Sequence, residues 1–260
     1  MSTGATPAGS ALAELVVMSN KLGEPTFDAV ILGEGNTSVK VDDQTFHVKG
    51  SGCQLQTMTA ADFVHLRFAT LLTLMDKESV TEAELSAVYE QSKVDPTQKR
   101  RPSVEALFHA VCLQLPGITA VAHSHATAVN GLTCGKGWPN TLAGRMCPDE
   151  AVVMGPDSVF VPYVDPGVIL AKAIQNGIAR YRDEWNLIPK VIYMQNHGVI
   201  ALGGSTQEAL NITAMAIKAA RMRAIALQAG GIALLDRATV LHLLGRPDEK
   251  YRQQALGLRG

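Results

Sequence analysis

Residues 118–126 read ITAVAHSHA, and residues 190–202 read KVIYMQNHGVIAL. The first stretch alternates apolar and small or polar residues through His125, which predicts a strand. The second has two β-branched apolar runs around QNHG, which predicts two strands joined by a turn. Helical periodicity surrounds both stretches. This interleaving favours one α/β domain over residues 1–260, with helices on both faces of a sheet.

Outward from these strands, the other elements follow from periodicity and from turn or capping residues. Short strands joined by tight loops are predicted over 27–52, and further strands at EAVVM (150–154) and SVFVPYV (158–164). Helices are predicted over 11–22, 60–75, 81–91, 103–115, 129–132, 167–181 and 205–228, and a helical tail over 232–260. Residues 1–8 resemble a flexible arm, and 95–101 (DPTQKRR) a mobile connector. Pro102 suits the first turn of the helix after it, and Ser205 with Glu208 forms a capping-box pattern.

Composition limits the possible classes of partner. The 260 residues are 47% apolar and 18% charged, with a net charge of −1, so no basic stripe indicates nucleic acid. Four cysteines without a C-x-x-C pair are typical of a reducing cytoplasm. Residues 1–10 lack the pattern of a secretory signal, and no apolar run reaches the length of a membrane span. We therefore expect a cytoplasmic protein with a small-molecule substrate, and neither nucleic acid nor membrane as partner.

His123 and His125 are candidate metal ligands. Residues i and i+2 of a strand lie on one face about 6–7 Å apart, so two imidazoles at this spacing can converge on one ion. Zinc accepts such nitrogens, and a catalytic zinc keeps one position open for substrate or water. His197 is the best candidate for a third ligand, because QNHG is a glycine-containing loop between two apolar runs.

The other polar candidates have weaker patterns. His47, His65 and His242 stand alone and are expected to be structural. Glu105 lies near a predicted helix start, where a carboxylate is stabilised by the helix dipole. Beside a metal site it could instead handle protons. His109, four residues later, could share its face and is expected to orient or pack rather than bind metal.

Two loops contain many glycines and hydroxyl side chains. They are GEGNTS at 33–38 and KGSG at 49–52. Successive backbone N–H groups in such loops can hold an anion, and Ser103 at a helix start could add its hydroxyl. Neither loop matches a P-loop or a dinucleotide fingerprint.

Five segments in this order resemble the class II aldolase/adducin family: GEGNTSVK, KGSG, RPSVE, HSHA and QNHG. LGEGNTSVK, VKGSG and VPYVDPG are especially similar to aldolase halves that are fused to a dehydrogenase domain in rhamnulose-phosphate-type enzymes. The resemblance implies a three-layer α/β/α sandwich with a mixed, mostly antiparallel central sheet. It also implies a homotetramer with active sites at subunit interfaces.

The resemblance further assigns roles to individual positions. His123, His125 and His197 would bind Zn²⁺, with Mn²⁺ or Co²⁺ as alternatives, and Glu105 would be the catalytic acid/base. The substrate phosphate would be held by Asn36, Thr37, Ser51, Gly52 and Ser103. The implied activity is that of a lyase of carbohydrate metabolism, which cleaves a ketose 1-phosphate to dihydroxyacetone phosphate and an aldehyde by a retro-aldol reaction through a metal-stabilised enediolate.

Two departures from the family pattern keep other activities open. Val104 stands where well-known aldolases have a second hydroxyl residue, and 135–150 lacks their interface tyrosine. Arg145 or Asp149 are candidates to replace that tyrosine. A metal-dependent decarboxylase of a keto or hydroxy-aromatic acid and a sugar-phosphate 4-epimerase would use the same site. A non-catalytic adducin-like domain is disfavoured because the three histidines and Glu105 are all present.

Overall fold

The computed structural model describes residues 8–255 and 257–258. Seven strands join one sheet in the order β3-β2-β1-β4-β7-β6-β5. Only the β5–β6 pair is parallel among these pairings, and the others are antiparallel. The strands are β1 (Asn36–Lys40), β2 (Thr45–Lys49), β3 (Phe63–Arg67), β4 (Ala120–Ser124), β5 (Val159–Val161), β6 (Val191–Met194) and β7 (Gly198–Gly203). The predicted mixed, mostly antiparallel sheet is confirmed.

Helices cover both faces of this sheet. They are α1 (Ala8–Leu22), α2 (Phe68–Leu72), α3 (Glu82–Ser92), α4 (Ala106–Leu113), α5 (Thr127–Thr133), α6 (Pro148–Met154), α7 (Val168–Trp185), α8 (Thr206–Gln228), α9 (Arg237–Gly245) and α10 (Pro247–Ala255). None of these helices is both long and apolar enough to cross a membrane.

The two apolar cores follow from strand alternation. In β7, Val199 and Ala201 pack with α1, α5 and α8, whereas Ile200 and Leu202 pack with α2, α4 and α7 on the other face. Successive residues of a strand point to opposite faces, so a strand buried on both sides is apolar along its whole length. The predicted three-layer α/β/α arrangement is confirmed.

Two predicted elements have the other secondary structure. The helix predicted over 60–75 is interrupted by β3, whose Val64 and Leu66 pack into the core beside β2. The strand predicted at 150–154 is instead part of α6, which begins at Pro148 and is buried from Glu150 to Met154. A short, fully apolar run does not distinguish a buried strand from a buried helix.

The segment before α4 also differs from the prediction. Pro102 is not in the first helical turn, but forms an isolated β-bridge with Gly50. The connector at 95–101 is held by a hydrogen bond from Gln98 to the Phe63 carbonyl and by an ion pair of Arg100 with Asp62 at 2.8 Å. These contacts argue against the mobility predicted for it.

At the ends of the chain, the predicted arm falls mainly on residues 1–7, which lie outside the described residues. Helix α1 already begins at Ala8. The helical tail is present as α9 and α10, up to Ala255. The Ser205 side chain caps α8 by accepting the Glu208 N–H at 3.0 Å, while the Glu208 carboxylate accepts the Gly204 N–H.

Candidate metal centre

Three histidines meet at one end of the sheet. His123 lies near the end of β4, His125 directly follows that strand, and His197 is in the loop between β6 and β7. One ring nitrogen from each lies within 4.8 Å of the others, and the Nε2 atoms of His123 and His125 are 3.0 Å apart. All three residues named from the sequence as metal ligands are therefore neighbours in space.

Backbone geometry holds the His197 loop against β4. Asn196 adopts a left-handed conformation with φ 53°, and the Asn130 side chain donates to the His197 carbonyl at 3.0 Å. A Cβ atom on Gly198 would lie 2.4 Å from the Ser124 carbonyl oxygen. It would also lie 3.1 Å from the rings of His123 and His125. Only glycine allows this close approach of β7 to the histidines.

His123 is oriented by the backbone. Its Nδ1 lies 3.0 Å from the Val199 carbonyl, which can only accept, so Nδ1 carries the proton and Nε2 has a free lone pair. Burial lowers the pKa of His123 to about 3 despite the nearby Glu105 carboxylate. The imidazole is thus neutral at physiological pH, as metal binding requires. Burial and the neighbouring His197 also lower the pKa of His125.

Glu105 completes the cluster from the position directly before α4. Its Oε2 lies 3.4 Å from His123 Nε2, and its Oε1 lies 3.1 Å from His197 Nε2. Burial by itself raises the pKa of Glu105. The adjacent imidazoles of His123 and His197, with a hydrogen bond from Asn36, outweigh that effect, so the pKa lies below its usual range. The carboxyl group is therefore ionised at neutral pH.

A buried hydrogen-bonded relay orients Glu105. Asn36 Nδ2 donates to Glu105 Oε2 at 2.6 Å and to Ser103 Oγ at 3.2 Å. Asn36 Oδ1 contacts His109 Nε2, which must donate, so His109 Nδ1 accepts from the Ser38 hydroxyl at 2.6 Å. Burial lowers the pKa of His109 to about 3. The structure therefore places His109 as an orienting group rather than a ligand.

The cluster has the chemistry of a divalent-cation site. Three imidazole nitrogens and a carboxylate face each other across short distances. Glu105 Oε1 is buried without an aligned hydrogen-bond donor. In a tetrahedral site with Zn–N bonds of about 2.0–2.1 Å, two ligand nitrogens stand about 3.3 Å apart. The 3.0 Å between His123 and His125 is close to that value. The residues present fit such an ion.

The hydroxyl and glycine residues named for the substrate differ in their positions. Ser103 Oγ accepts from Asn36 and from the Glu105 N–H at 3.3 Å, which leaves its own proton free to donate beside the carboxylate. Ser51 and Gly52 are exposed on a nearby loop, and Gly52 has φ 78°. Both amide donors of Asn36 are used within the protein, so its side chain positions Glu105 instead of remaining free for a phosphate.

Thr37 does not face the cluster. Its hydroxyl lies 2.6 Å from that of Ser19 in α1 and is fully buried. In the β1–β4 pairing, Asn36 is opposite His123, so the next residue along β1 points to the other face of the sheet. The prediction that the Thr37 side chain binds substrate is wrong for this reason.

Arg145 and Asp149, the candidates to replace the family's interface tyrosine, make contacts within the chain. The Arg145 side chain is fully buried and donates to the Gly155, Gly144 and Met154 carbonyls, so it cannot reach a neighbouring subunit. Asp149 forms a surface ion pair with Arg252 at 2.7 Å. The buried Arg145 is therefore not a replacement for the family's tyrosine, and Asp149 stays a candidate.

Two charged residues of the predicted loops were not recognised from the sequence. Lys49 is buried, and its ammonium donates to the carbonyls of Gly33 at 2.7 Å and Gly35 at 2.8 Å, which fixes the loop that carries Asn36. Glu34 Oε1 lies 4.0 Å from His125 Nδ1. Both residues are in the quoted motifs, but only the folded loop shows which atoms they contact.

Residues 13–224 match the family described as Class II Aldolase and Adducin N-terminal domain. The chain belongs to this family. A 204-residue stretch is 30% identical to the uncharacterised oxidoreductase YuxG of Bacillus subtilis and covers 75% of this chain. The match spans only 27% of the length of YuxG. Class II aldolases depend on a divalent metal, and the histidine triad could bind one.

Solved structures support the same fold. The N-terminal class II aldolase domain of a conserved protein from Thermoplasma acidophilum is 28% identical, with a TM-score of 0.65 over 81% of this chain and 92% of that chain. YgbL from Klebsiella pneumoniae, titled a putative aldolase/epimerase/decarboxylase, is 22% identical, with a TM-score of 0.68 over 92% and 99%. L-fuculose 1-phosphate aldolase from Glaciozyma antarctica is 19% identical, with a TM-score of 0.66 over 98% and 90%.

Proposed function

We propose that the protein is a divalent-metal-dependent carbon–carbon lyase that cleaves a ketose 1-phosphate by a retro-aldol reaction, giving dihydroxyacetone phosphate and an aldehyde. One observation carries the proposal. The Glu105 carboxylate is buried among three histidines, and its Oε1 has no aligned hydrogen-bond donor. A proton-handling group beside a candidate metal site is the arrangement that this chemistry needs.

His123, His125 and His197 would hold the ion, with Zn²⁺ as the first choice and Mn²⁺ or Co²⁺ as alternatives. When bound, the ion would supply Lewis acidity, which polarises a carbonyl and stabilises negative charge that develops on its oxygen. Glu34, 4.0 Å behind His125, would help to keep that imidazole in place.

Glu105 would move the proton. In a retro-aldol reaction, a hydroxyl loses its proton, the carbon–carbon bond breaks, and the carbon that keeps the electron pair takes up a proton. Glu105 is ionised at rest because its pKa lies below the usual range. It therefore starts as the base, accepts the hydroxyl proton, and returns it to the carbon. Asn36 and His109 keep the carboxylate pointed at the site.

Substrate binding is assigned to Ser103, Ser51 and Gly52. Ser103 has a free hydroxyl proton next to Glu105, and the exposed Ser51 hydroxyl and Gly52 N–H can face an anion. We also propose a homotetramer with sites at the subunit interfaces. Large apolar side chains left exposed on the single chain support this assembly: Val17, Ile31, Leu32, Ile169, Ile225 and Tyr251.

A decarboxylase is the second candidate. Val104, directly before Glu105, is 57% exposed, and its side chain offers no hydrogen bond where a second hydroxyl would hold a phosphate. A keto or hydroxy-aromatic acid would tolerate an apolar neighbour at this position.

The test is an aldol-cleavage assay. Purified protein loaded with Zn²⁺, Mn²⁺ or Co²⁺ is given a panel of ketose 1-phosphates, and a coupled dehydrogenase reports dihydroxyacetone phosphate. We expect release that is lost in His123→Ala together with bound metal, and lost in Glu105→Gln with metal retained. His242→Ala, at an exposed histidine of α9, is the matched control. A folded, metal-loaded protein that releases no dihydroxyacetone phosphate but releases CO₂ from keto acids would support the second candidate.

A further inference from the structure

The KGSG and RPS segments form one surface, although about fifty residues separate them. Gly50 and Pro102 form an antiparallel bridge. The Ser51 N–H donates to the Arg101 carbonyl at 2.8 Å, and the Ser103 N–H donates to the Lys49 carbonyl at 2.9 Å. The sequence suggested KGSG as an anion-binding loop and Ser103 as a hydroxyl at a helix start, whereas the fold joins their two segments into a single corner beside Glu105.

Strand geometry fixes which side chains share a face of this corner. Across an antiparallel bridge, opposite residues lie on one face and alternate residues return to it. Arg101 is therefore opposite Ser51 and on the same face as Ser103, because Pro102 lies between them. Ser103 is 8% exposed, and its hydroxyl reaches Asn36 next to the candidate metal site. Arg101 is exposed, one step further out towards solvent.

The two neighbouring cations are already committed. The ammonium of Lys49 donates to the carbonyls of Gly33 and Gly35. The guanidinium of Arg100 is paired with Asp62 at 2.8 Å and contacts Cys53 Sγ at 2.9 Å. Within the described part of the chain, the Arg101 guanidinium has no hydrogen-bond or ion-pair partner.

We propose that Arg101 is a substrate-binding residue, which pairs with the anionic end of the substrate at the mouth of the site while Ser103 and Glu105 face its reacting end. The inference rests on the proposed function, since it assumes that the site takes an anionic substrate. A guanidinium binds a phosphate monoester or a carboxylate through two parallel N–H···O bonds. Arg101 thereby supplies the charge that the hydroxyl and glycine residues of the corner lack.

The experiment is calorimetric titration of the zinc-loaded protein with inorganic phosphate, and separately with acetate. Arg101→Gln is expected to weaken binding of the preferred anion about 10- to 100-fold, because charge-assisted hydrogen bonds are lost. Arg101→Lys is expected to restore only part of the affinity, since an ammonium lacks the planar fork. Lys99→Gln, an exposed cation in the same segment, is the matched control and is expected to change affinity less than twofold. The anion that binds more tightly shows whether the charged end of the substrate is a phosphate or a carboxylate.

Two results would overturn the inference. One is that Arg101→Gln and Lys99→Gln have the same effect on anion affinity. The other is that the zinc-loaded wild-type protein binds neither phosphate nor acetate. Zinc binding, measured separately with a chelating dye, distinguishes a wrong role for Arg101 from failure of the proposed function. Loss of the metal site would remove zinc affinity in the wild type, whereas a wrong role for Arg101 would leave zinc affinity and cleavage unchanged in Arg101→Gln. In the cleavage assay, the expected change for Arg101→Gln is a raised KM with little change in kcat.

Discussion

Gly198→Ala tests whether the close approach of β7 to β4 builds the histidine cluster. The added Cβ would lie 2.4 Å from the Ser124 carbonyl oxygen and 3.1 Å from the rings of His123 and His125. Atoms in ordinary contact with a carbon stand about 3.5 Å away, so the overlap with the carbonyl is about 1 Å. That carbonyl belongs to the backbone at the β4–β7 pairing, where Ser124 is opposite Val199, and it has little freedom to move.

The expected cost is at the upper end of overpacking in a core, about 3 kcal/mol in the free energy of unfolding. For a chain of this length the melting temperature should fall by about 6–9 °C. The two strands must separate to relieve the overlap, which displaces the imidazoles. We therefore expect zinc affinity to fall about 10- to 100-fold, the range seen when groups that orient ligands are lost. Thermal unfolding of the metal-free protein and zinc competition with a chelating dye measure the two effects.

Gly131→Ala is the matched control for this substitution. Gly131 lies inside α5, and nothing stands within 4 Å of its added Cβ. Alanine is favoured over glycine in a helix, so stability should rise by about 0.5–1 kcal/mol with zinc affinity unchanged. If Gly198→Ala retains wild-type stability and zinc affinity, the tight strand approach is not what positions the histidines.

Three further substitutions probe the relay, the pH dependence and the core. His109→Phe should lower kcat about tenfold or more with zinc affinity preserved, because Glu105 loses its oriented neighbour; an unchanged kcat would contradict the relay. Burial lowers the pKa of His47 to about 4 from 6.5. As pH drops from 6.5 to 4, the unfolded chain takes up a proton on this imidazole before the folded chain does, so the free energy of unfolding falls. In urea unfolding, His47→Asn should raise the free energy of unfolding by roughly 2 kcal/mol at pH 4, a figure reduced for solvent screening of this half-buried group, and should leave it unraised at pH 7.5. Glu150→Leu leaves the buried Arg223 without its 2.7 Å partner and should cost about 3–5 kcal/mol in the same assay; a loss below 1 kcal/mol would contradict this.

The layers and the main strands of the fold could be predicted from the sequence. β4, β6 and β7 carry clear alternation or paired apolar runs, and α8 has a capping residue at Ser205. Two segments could not be predicted because their patterns are ambiguous: β3 lies inside an apolar run that also fits a helix, and α6 is buried on all sides from Glu150 onward. Pairing with β2 decides the first, and tertiary packing decides the second.

Within the candidate site, spacing pointed to the histidine pair but not to the direction of each side chain. The faces of β1 are set by its register with β4, where Asn36 is opposite His123. A change of one residue in that register would turn Asn36 away and bring Thr37 to the cluster. The motif GEGNTS contains both residues, and only the pairing shows that Asn36 is the one that reaches Glu105.

The order of strands around β1 and the central strand β4 explains why five distant motifs form one site. β1 lies between β2, which leads into KGSG, and β4, which ends in HSHA, while β7 brings QNHG to the other side of β4. RPSVE reaches the same place because Pro102 pairs with Gly50 directly after β2. The Gly50 bridge therefore links the exposed KGSG corner to Glu105. Disturbing the bridge should affect substrate affinity and proton transfer together, whereas Arg101 should affect affinity alone.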